Sequence, residues 1–300
     1  MCNQCLLDPK MDFIFKRIFG NENEPEILIR FLNALLEPKD KQIEYDPIVT
    51  IEIKNGEIPK ASIEDKYSVL DVRAKTGKGE IIHIEIQRKD EHDMLKRSIY
   101  YLNQIFTEQI ESGENYEKLN RVVSIIIMNY HSNFIPNEDF HNVYRFKNIR
   151  TEEELTDLQE LHYIELPKMT HCDEEDVLQL FLEFLKNPNS HVVESKVGEI
   201  KELSKAKQKL ALLSRDPKMR DEFNAREKAL KDKNSALATA EAKGIAKGIE
   251  QGIERGEYKA KIESAKNLLD VLEDEIIAKK IELPLVEVNK LRKEYVKNSH

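Results

Sequence analysis

Tyr67-Ser-Val-Leu-Asp-Val-Arg-Ala74 and Ile81-Ile-His-Ile-Glu-Ile-Gln87 are the two stretches whose reading decides the fold. In the first, Leu70, Val72 and Ala74 alternate with Asp71 and Arg73, the period of two expected of a strand with one buried face. In the second, isoleucines 82, 84 and 86 share one face and His83, Glu85 and Gln87 the other. Between them, Lys75-Thr-Gly-Lys-Gly-Glu80 carries Gly77 and Gly79, which supply the positive φ angles of a hairpin loop. An antiparallel hairpin over these residues brings Asp71 near Glu85.

Two carboxylates close together on a strand pair repel, and at least one pKa rises unless a cation sits between them. A hard divalent ion answers that need. Mg2+ or Mn2+ takes oxygen ligands, keeps several waters, and is held by one or two carboxylates plus substrate phosphate. Such an ion activates a water and neutralises charge on a cleaved phosphodiester, so Asp71 and Glu85 are candidate metal ligands and catalytic residues. Gln87, on the same face, is a candidate to orient the attacking water, although an amide supplies no positive charge. The plainer alternative is the solvated outer face of an ordinary hairpin.

The arrangement Asp71, then Glu85-Ile-Gln87, resembles the PD-(D/E)XK nuclease superfamily with glutamine in the lysine position. It is more closely similar to the recombination-promoting nuclease (Rpn) or putative transposase family. Asp12-Phe-Ile-Phe-Lys-Arg-Ile-Phe-Gly20, Arg97-Ser-Ile-Tyr-Tyr101 and a Gly-Ile repeat at 244 to 256 are further points of likeness. The resemblance covers about the first 170 residues and a tail segment. It implies an α/β fold with a restriction-endonuclease-like core, a mixed sheet flanked by helices, followed by an all-helical C-terminal region. It also implies a metal-dependent DNA endonuclease acting in mobile DNA, recombination or defence, with Mg2+ or Mn2+ as cofactor and DNA as partner. Lys89 is a candidate to replace the absent lysine. Asp12, on the first helix, is either that helix's cap or a third carboxylate. Arg97 and Tyr100, on the helix after the third strand, face either the site or the DNA backbone; for Tyr100 and Tyr101 core packing is the other reading.

Along the chain, helices are expected from Asp12 to Phe19 and from Pro25 to Leu36, and a first strand from Pro47 to Ile53. A helix over Glu91 to Ile110 places Leu95, Ile99, Leu102, Phe106 and Ile110 on one stripe covering the sheet. Arg121 to Asn129 is apolar on both faces and reads as a central strand. Two more strands are expected over Asn142 to Phe146 and Leu161 to Leu166. The nuclease-like domain is placed at 10–170, a helical extension at 171–215, a long Ala/Glu/Lys-rich helix at 216–258 and a small helical tail at 259–300. Within the extension, Val177, Leu180, Phe181 and Phe184 form a stripe, and Lys196 to Leu213 reads as one helix.

In the long helix, Gly244, Gly248, Gly252 and Gly256 recur every four residues, with isoleucines after the first three. Four glycines cost about 3 to 4 kcal/mol of helix stability relative to alanine. Close self-association or a hinge offsets that, and association into a homodimer or higher oligomer through the C-terminal helices is the preferred expectation. The tail, with its proline-started last helix, resembles a helix-turn-helix unit or a bundle that merely closes the chain.

The chain has 300 residues, 40% hydrophobic and 34% charged, with a net charge of −9. A surface of that sign restricts nucleic-acid contact to local basic patches, for which Lys201 to Lys209, Arg226 to Lys233 and Lys279 to Lys297 are candidates. No apolar run is long enough to cross a membrane, the start lacks signal-peptide character, and three cysteines fit a reducing, cytoplasmic setting. Cys2 and Cys5 have zinc-ligand spacing that His171 and Cys172 would have to complete; the alternative is a disordered N-terminal tail. Two other functions stay open: a nuclease-fold DNA-binding or assembly protein without useful turnover, and a metal-binding scaffold that recruits a protein partner.

Overall fold

The computed structural model describes residues 6–38, 45–54, 72–90 and 92–298. Asp71, Cys2 and Cys5 lie outside the described residues. The chain divides into two compact units, one up to Phe223 and one from Asn224.

The first unit begins with α1 (Asp12–Phe19) and α2 (Glu26–Leu36). Phe13, Ile14, Phe15, Ile18 and Phe19 of α1 are buried, so its whole inward arc is apolar. The N-cap is Met11 rather than Asp12: the Met11 carbonyl accepts from Phe15 N at 2.8 Å. Asp12 stands in the first turn, where its charge complements the helix dipole without capping.

Then come β1 (Ile51–Ile53), β2 (Val72–Thr76), β3 (Ile81–Gln87), α3 (Met94–Thr107), β4 (Val122–Met128), β5 (His141–Lys147) and β6 (Glu154–Glu165). Among the described residues the strands form one mixed sheet of order β1-β2-β3-β4-β6-β5. β3, β4 and β6 are parallel neighbours, while β1-β2, β2-β3 and β5-β6 pair antiparallel. The β2–β3 hairpin sets Val72 opposite Ile84 and Arg73 opposite His83. Gly79 turns it at φ 91°, a conformation open to glycine at little cost. β1 is shorter than the strand expected from Pro47, and β6 begins well before Leu161.

One face of the sheet packs on α1, α2, α4 (Val177–Lys186) and α6 (Lys201–Arg215), with α5 (His191–Lys196) between the last two. Ile82, Ile84 and Ile86 of β3 and Val123, Ile125 and Ile127 of β4 point into this layer. Phe19, Phe31 and Phe181 meet edge to face there, with centroids 5.5 to 6.1 Å apart; such pairs add to what area burial alone provides. The helix expected over Lys196 to Leu213 is broken: α5 ends at Lys196 and α6 starts at Lys201, with Gly198 between.

The other face is covered by α3, which crosses over between the parallel strands β3 and β4. Its inward residues are Met94, Ser98, Tyr101, Leu102 and Ile105, whereas Leu95 and Ile99 are 40% and 42% exposed. The helix is therefore turned by about one residue, roughly 100°, from the expected stripe, and only Leu102 belongs to both. This rotation points the Ser98 hydroxyl at that of Tyr163, 2.5 Å away. Because α3 lies on this face, the odd-numbered side of β3 is not solvated: His83 is fully buried and Glu85 is 5% exposed.

In the second unit, the rest of α7 (Pro217–Lys266) is followed by α8 (Asp274–Ile281) and α9 (Leu285–Asn298). Ala265, Leu269, Ile277, Leu283, Val288 and Leu291 form its core. Arg292 of α9 ties that helix to α8 and to the turn after α7, donating to Leu272 O at 2.6 Å, to Asp274 at 2.8 Å and to Leu269 O. Among the described residues no helix is long and apolar enough to cross a membrane.

Candidate active site at the end of the central strands

Strand alternation puts Glu85 and Gln87 on the α3 side of β3, and the short link to α3 returns Arg97 to the same place. Glu85 Oε1 accepts from Gln87 Nε2 at 2.6 Å and from Arg97 Nη2. Glu85 Oε2 is buried and has no hydrogen-bond partner among the described residues. Burial opposes the charge on Arg97, but the Glu85 carboxylate outweighs it and raises the guanidinium pKa above its ordinary value. Arg97 also lies 4.0 Å from Asp93. One N–H of the Gln87 amide thus goes to the Glu85 carboxylate, and the positive charge at this point comes from α3.

Two further groups complete the surroundings. His83, one alternation step deeper, contacts Ser124 Oγ through Nδ1 at 3.0 Å, and burial pulls its pKa down to about 4, so it is neutral at pH 7. Tyr130 follows the end of β4, where Asn129 N donates to Gln87 O at 2.8 Å. Its hydroxyl is buried without a hydrogen-bond partner among the described residues. Burial raises its pKa, with Asp90 and Glu85 adding to the rise and Arg97 opposing it, so the phenol stays a hydrogen-bond donor. Tyr130 escaped the sequence reading because it sits in a loop, outside any period of two or 3.6.

The remaining candidates are dispersed. Lys89 is exposed in the bend after β3; the strand ends at Gln87, so Lys89 does not continue its face. Asp12 is exposed in the first turn of α1. Arg88 reaches Met11 Sδ at 3.7 Å and Asp8 at 3.5 Å, which sets the start of α1 against the end of β3. Tyr100 is 55% exposed and lies edge to face on buried Tyr101, so core packing holds for Tyr101 and not for Tyr100. Cys172 is half-buried, its thiol pushed up to about 11 by burial and nearby carboxylates. Among the described residues no three His, Cys, Asp or Glu side chains are grouped to hold a metal.

At the other end of the parallel strands lies a separate ionic network. Buried Glu160 takes both carboxylate oxygens to Arg121 at 2.9 Å and is also bound by Arg145 and His162. Burial works to raise its pKa, but His162 and the two arginines bring it down to about 2. His141 continues the chain, its Nε2 2.9 Å from His162 Nδ1.

A family model described as PD-(D/E)XK nuclease family transposase matches residues 9–240. The matched span runs past the sheet through α4, α5 and α6 and ends before Gly244. No curated protein and no solved structure gives a significant match.

Proposed function

The chain belongs to the PD-(D/E)XK nuclease family transposases, and from that premise we propose that it is a divalent-metal-dependent DNA endonuclease centred on Glu85. The observation that carries this reading is Glu85 Oε2, a buried carboxylate oxygen with no partner among the described residues. An unsatisfied buried carboxylate is costly, and a hard cation is the group whose chemistry fits it. Asp71 is proposed as the second ligand; the ladder beside it already sets Val72 opposite Ile84. Mg2+ and Mn2+ both suit one or two carboxylates completed by water and phosphate. When bound, the ion lowers the pKa of a water and offsets charge developing on the phosphate.

The chain's own groups set the geometry. Gln87 and Arg97 fix the Glu85 carboxylate through one oxygen and leave the other presented. Arg97 supplies the charge that a lysine at position 87 would bring, from a helix instead of the strand. Tyr130 offers a neutral donor beside them. The helical C-terminal region is proposed to pair two copies of the chain.

The test is cleavage of supercoiled plasmid with Mg2+ or Mn2+ by the parent, Glu85→Ala and Asp71→Ala proteins. Cutting by the parent alone, abolished by chelator, supports the assignment. Gln87, an amide bonded to Glu85 at the position of the usual lysine, favours one second reading, a nuclease fold with weak or no turnover. Equal inactivity of all three proteins with retained DNA binding would establish that alternative.

A further inference from the structure

Away from the carboxylate, the same face of the sheet carries a basic cleft of about 320 Å³ between β2 and the C-terminal end of α3. Lys54, Arg73, Lys75 and Lys118 line it, and among the described residues Glu108 is the one carboxylate of its walls. Glu108 is engaged by Arg73 at 2.8 Å. Among the described residues Lys54 and Lys118 pair with the exposed Glu52 and the half-exposed Glu114, and solvent-exposed pairs of this kind hold their partners weakly. Lys75 is exposed and makes no ion pair among the described residues. The wall is stiff: Gln109 Nε2 donates to Asn120 O at 3.0 Å and Asn120 N donates to Gln109 Oε1 at 2.9 Å, bracing the end of α3 against the approach to β4.

We propose that this cleft binds the phosphate backbone of the DNA presented to Glu85. Among the described lining residues four cations stand against the paired Glu108, with Glu52 and Glu114 at the exposed rim, an excess that stands out on a chain of net charge −9, where nucleic acid can be held only by local positive density. The negative end of the α3 dipole, roughly half a charge, opposes an anion here but is outweighed. Position fits as well as charge. Arg73 lies opposite His83 and Lys75 opposite Ile81, on the side of the sheet that carries Glu85. At about 3.3 Å per residue, the two basic residues stand roughly 7 and 13 Å along the strand from Glu85. A duplex strand carries one phosphate per roughly 3.4 Å of axis, so the cleft meets the backbone about two to four phosphates from the carboxylate. The proposal rests on the nuclease reading for its ligand and adds where that ligand lies.

The test is a Lys54→Gln/Lys75→Gln double variant of the full chain, titrated with labelled duplex DNA in chelator from about 50 to 200 mM salt. Both side chains are exposed, so the variant should match the parent in thermal unfolding. Expected are a roughly tenfold loss of affinity and a plot of log K against log salt shallower by about 2; Lys147→Gln, on the opposite sheet edge, serves as control. In cleavage, KM should rise with kcat unchanged. If the double variant keeps the parent's salt slope and KM while the parent cuts, the cleft is wrong and the nuclease reading stands. If the parent never cuts yet shows the lysine-dependent slope, the nuclease reading fails and the cleft stands. A parent that binds no DNA at any salt overturns the cleft outright.

Discussion

Glu85 is held by two donors on one oxygen, with the other oxygen buried and without a hydrogen-bond partner among the described residues, and this asymmetry sets what substitutions around it should do. Arg97→Met would leave a buried carboxylate with Gln87 as its remaining donor, and breaking a buried pair from one side typically costs about 3 to 5 kcal/mol. Because Arg97 is partly exposed, the lower end applies, about 3 kcal/mol, read by urea unfolding of the metal-free protein. Glu85→Gln combined with Arg97→Met should recover most of the loss; a double variant as weak as Arg97→Met would show that the two groups are not coupled. At this scale the sequence was informative where a period existed. Alternation on β3 marked Glu85 and Gln87, and Arg97 stood out through the Arg97-Ser-Ile-Tyr-Tyr101 motif. The Gln87–Glu85 hydrogen bond was not legible, because where an amide points depends on a rotamer that no spacing encodes.

Elements were legible as types and less so as orientations. For α3, the stripe through Leu95 and Ile99 and the one through Met94, Ser98 and Ile105 both satisfy helical spacing. The structure buries the second, because only that rotation brings Ser98 to Tyr163 and Arg97 to Glu85. Ile105→Ala should therefore cost about 2 to 5 kcal/mol and Leu95→Ala within about 0.5 kcal/mol; comparable losses in denaturant would restore the other face. The first half of β6 was missed for a related reason, since Glu154 to Glu160 shows no alternation and is held by its pairing with β5. In α7 the glycine repeat lies within one helix, and a Cβ added at Gly248 or Gly252 would meet nothing within 4 Å. Ile245, Ile249 and Ile253 are 58 to 59% exposed beside them. Gly248→Ala/Gly252→Ala should raise helix stability by about 1 kcal/mol per site while weakening self-association. A sedimentation profile unchanged by the double substitution would remove the glycine face from any dimer contact.

For the molecule as a whole, the parallel strands separate two polar centres, one at Glu85 and one at Glu160, and the second ties fold stability to pH. Folding lowers the Glu160 pKa from 4.5 to about 2, so the unfolded chain binds the proton more readily than the folded one between those values. Stability from this group is then fully present above about pH 4.5 and is lost as pH falls through 2. A shift of that size corresponds to roughly 3 kcal/mol at 1.36 kcal/mol per unit. Other carboxylates titrate in the same range, but they do so in both proteins when the parent is compared with Glu160→Gln. At pH 7 the variant should be the weaker, because Arg121, Arg145 and His162 lose their shared counter-charge. Between pH 4.5 and 2 the parent should lose about 3 kcal/mol more than the variant, so that their unfolding free energies converge on acidification. Curves that run parallel from pH 7 to 2 would mean that Glu160 ionises alike in the folded and unfolded chain, and that the arginine and histidine contacts do no more than offset the cost of burying it.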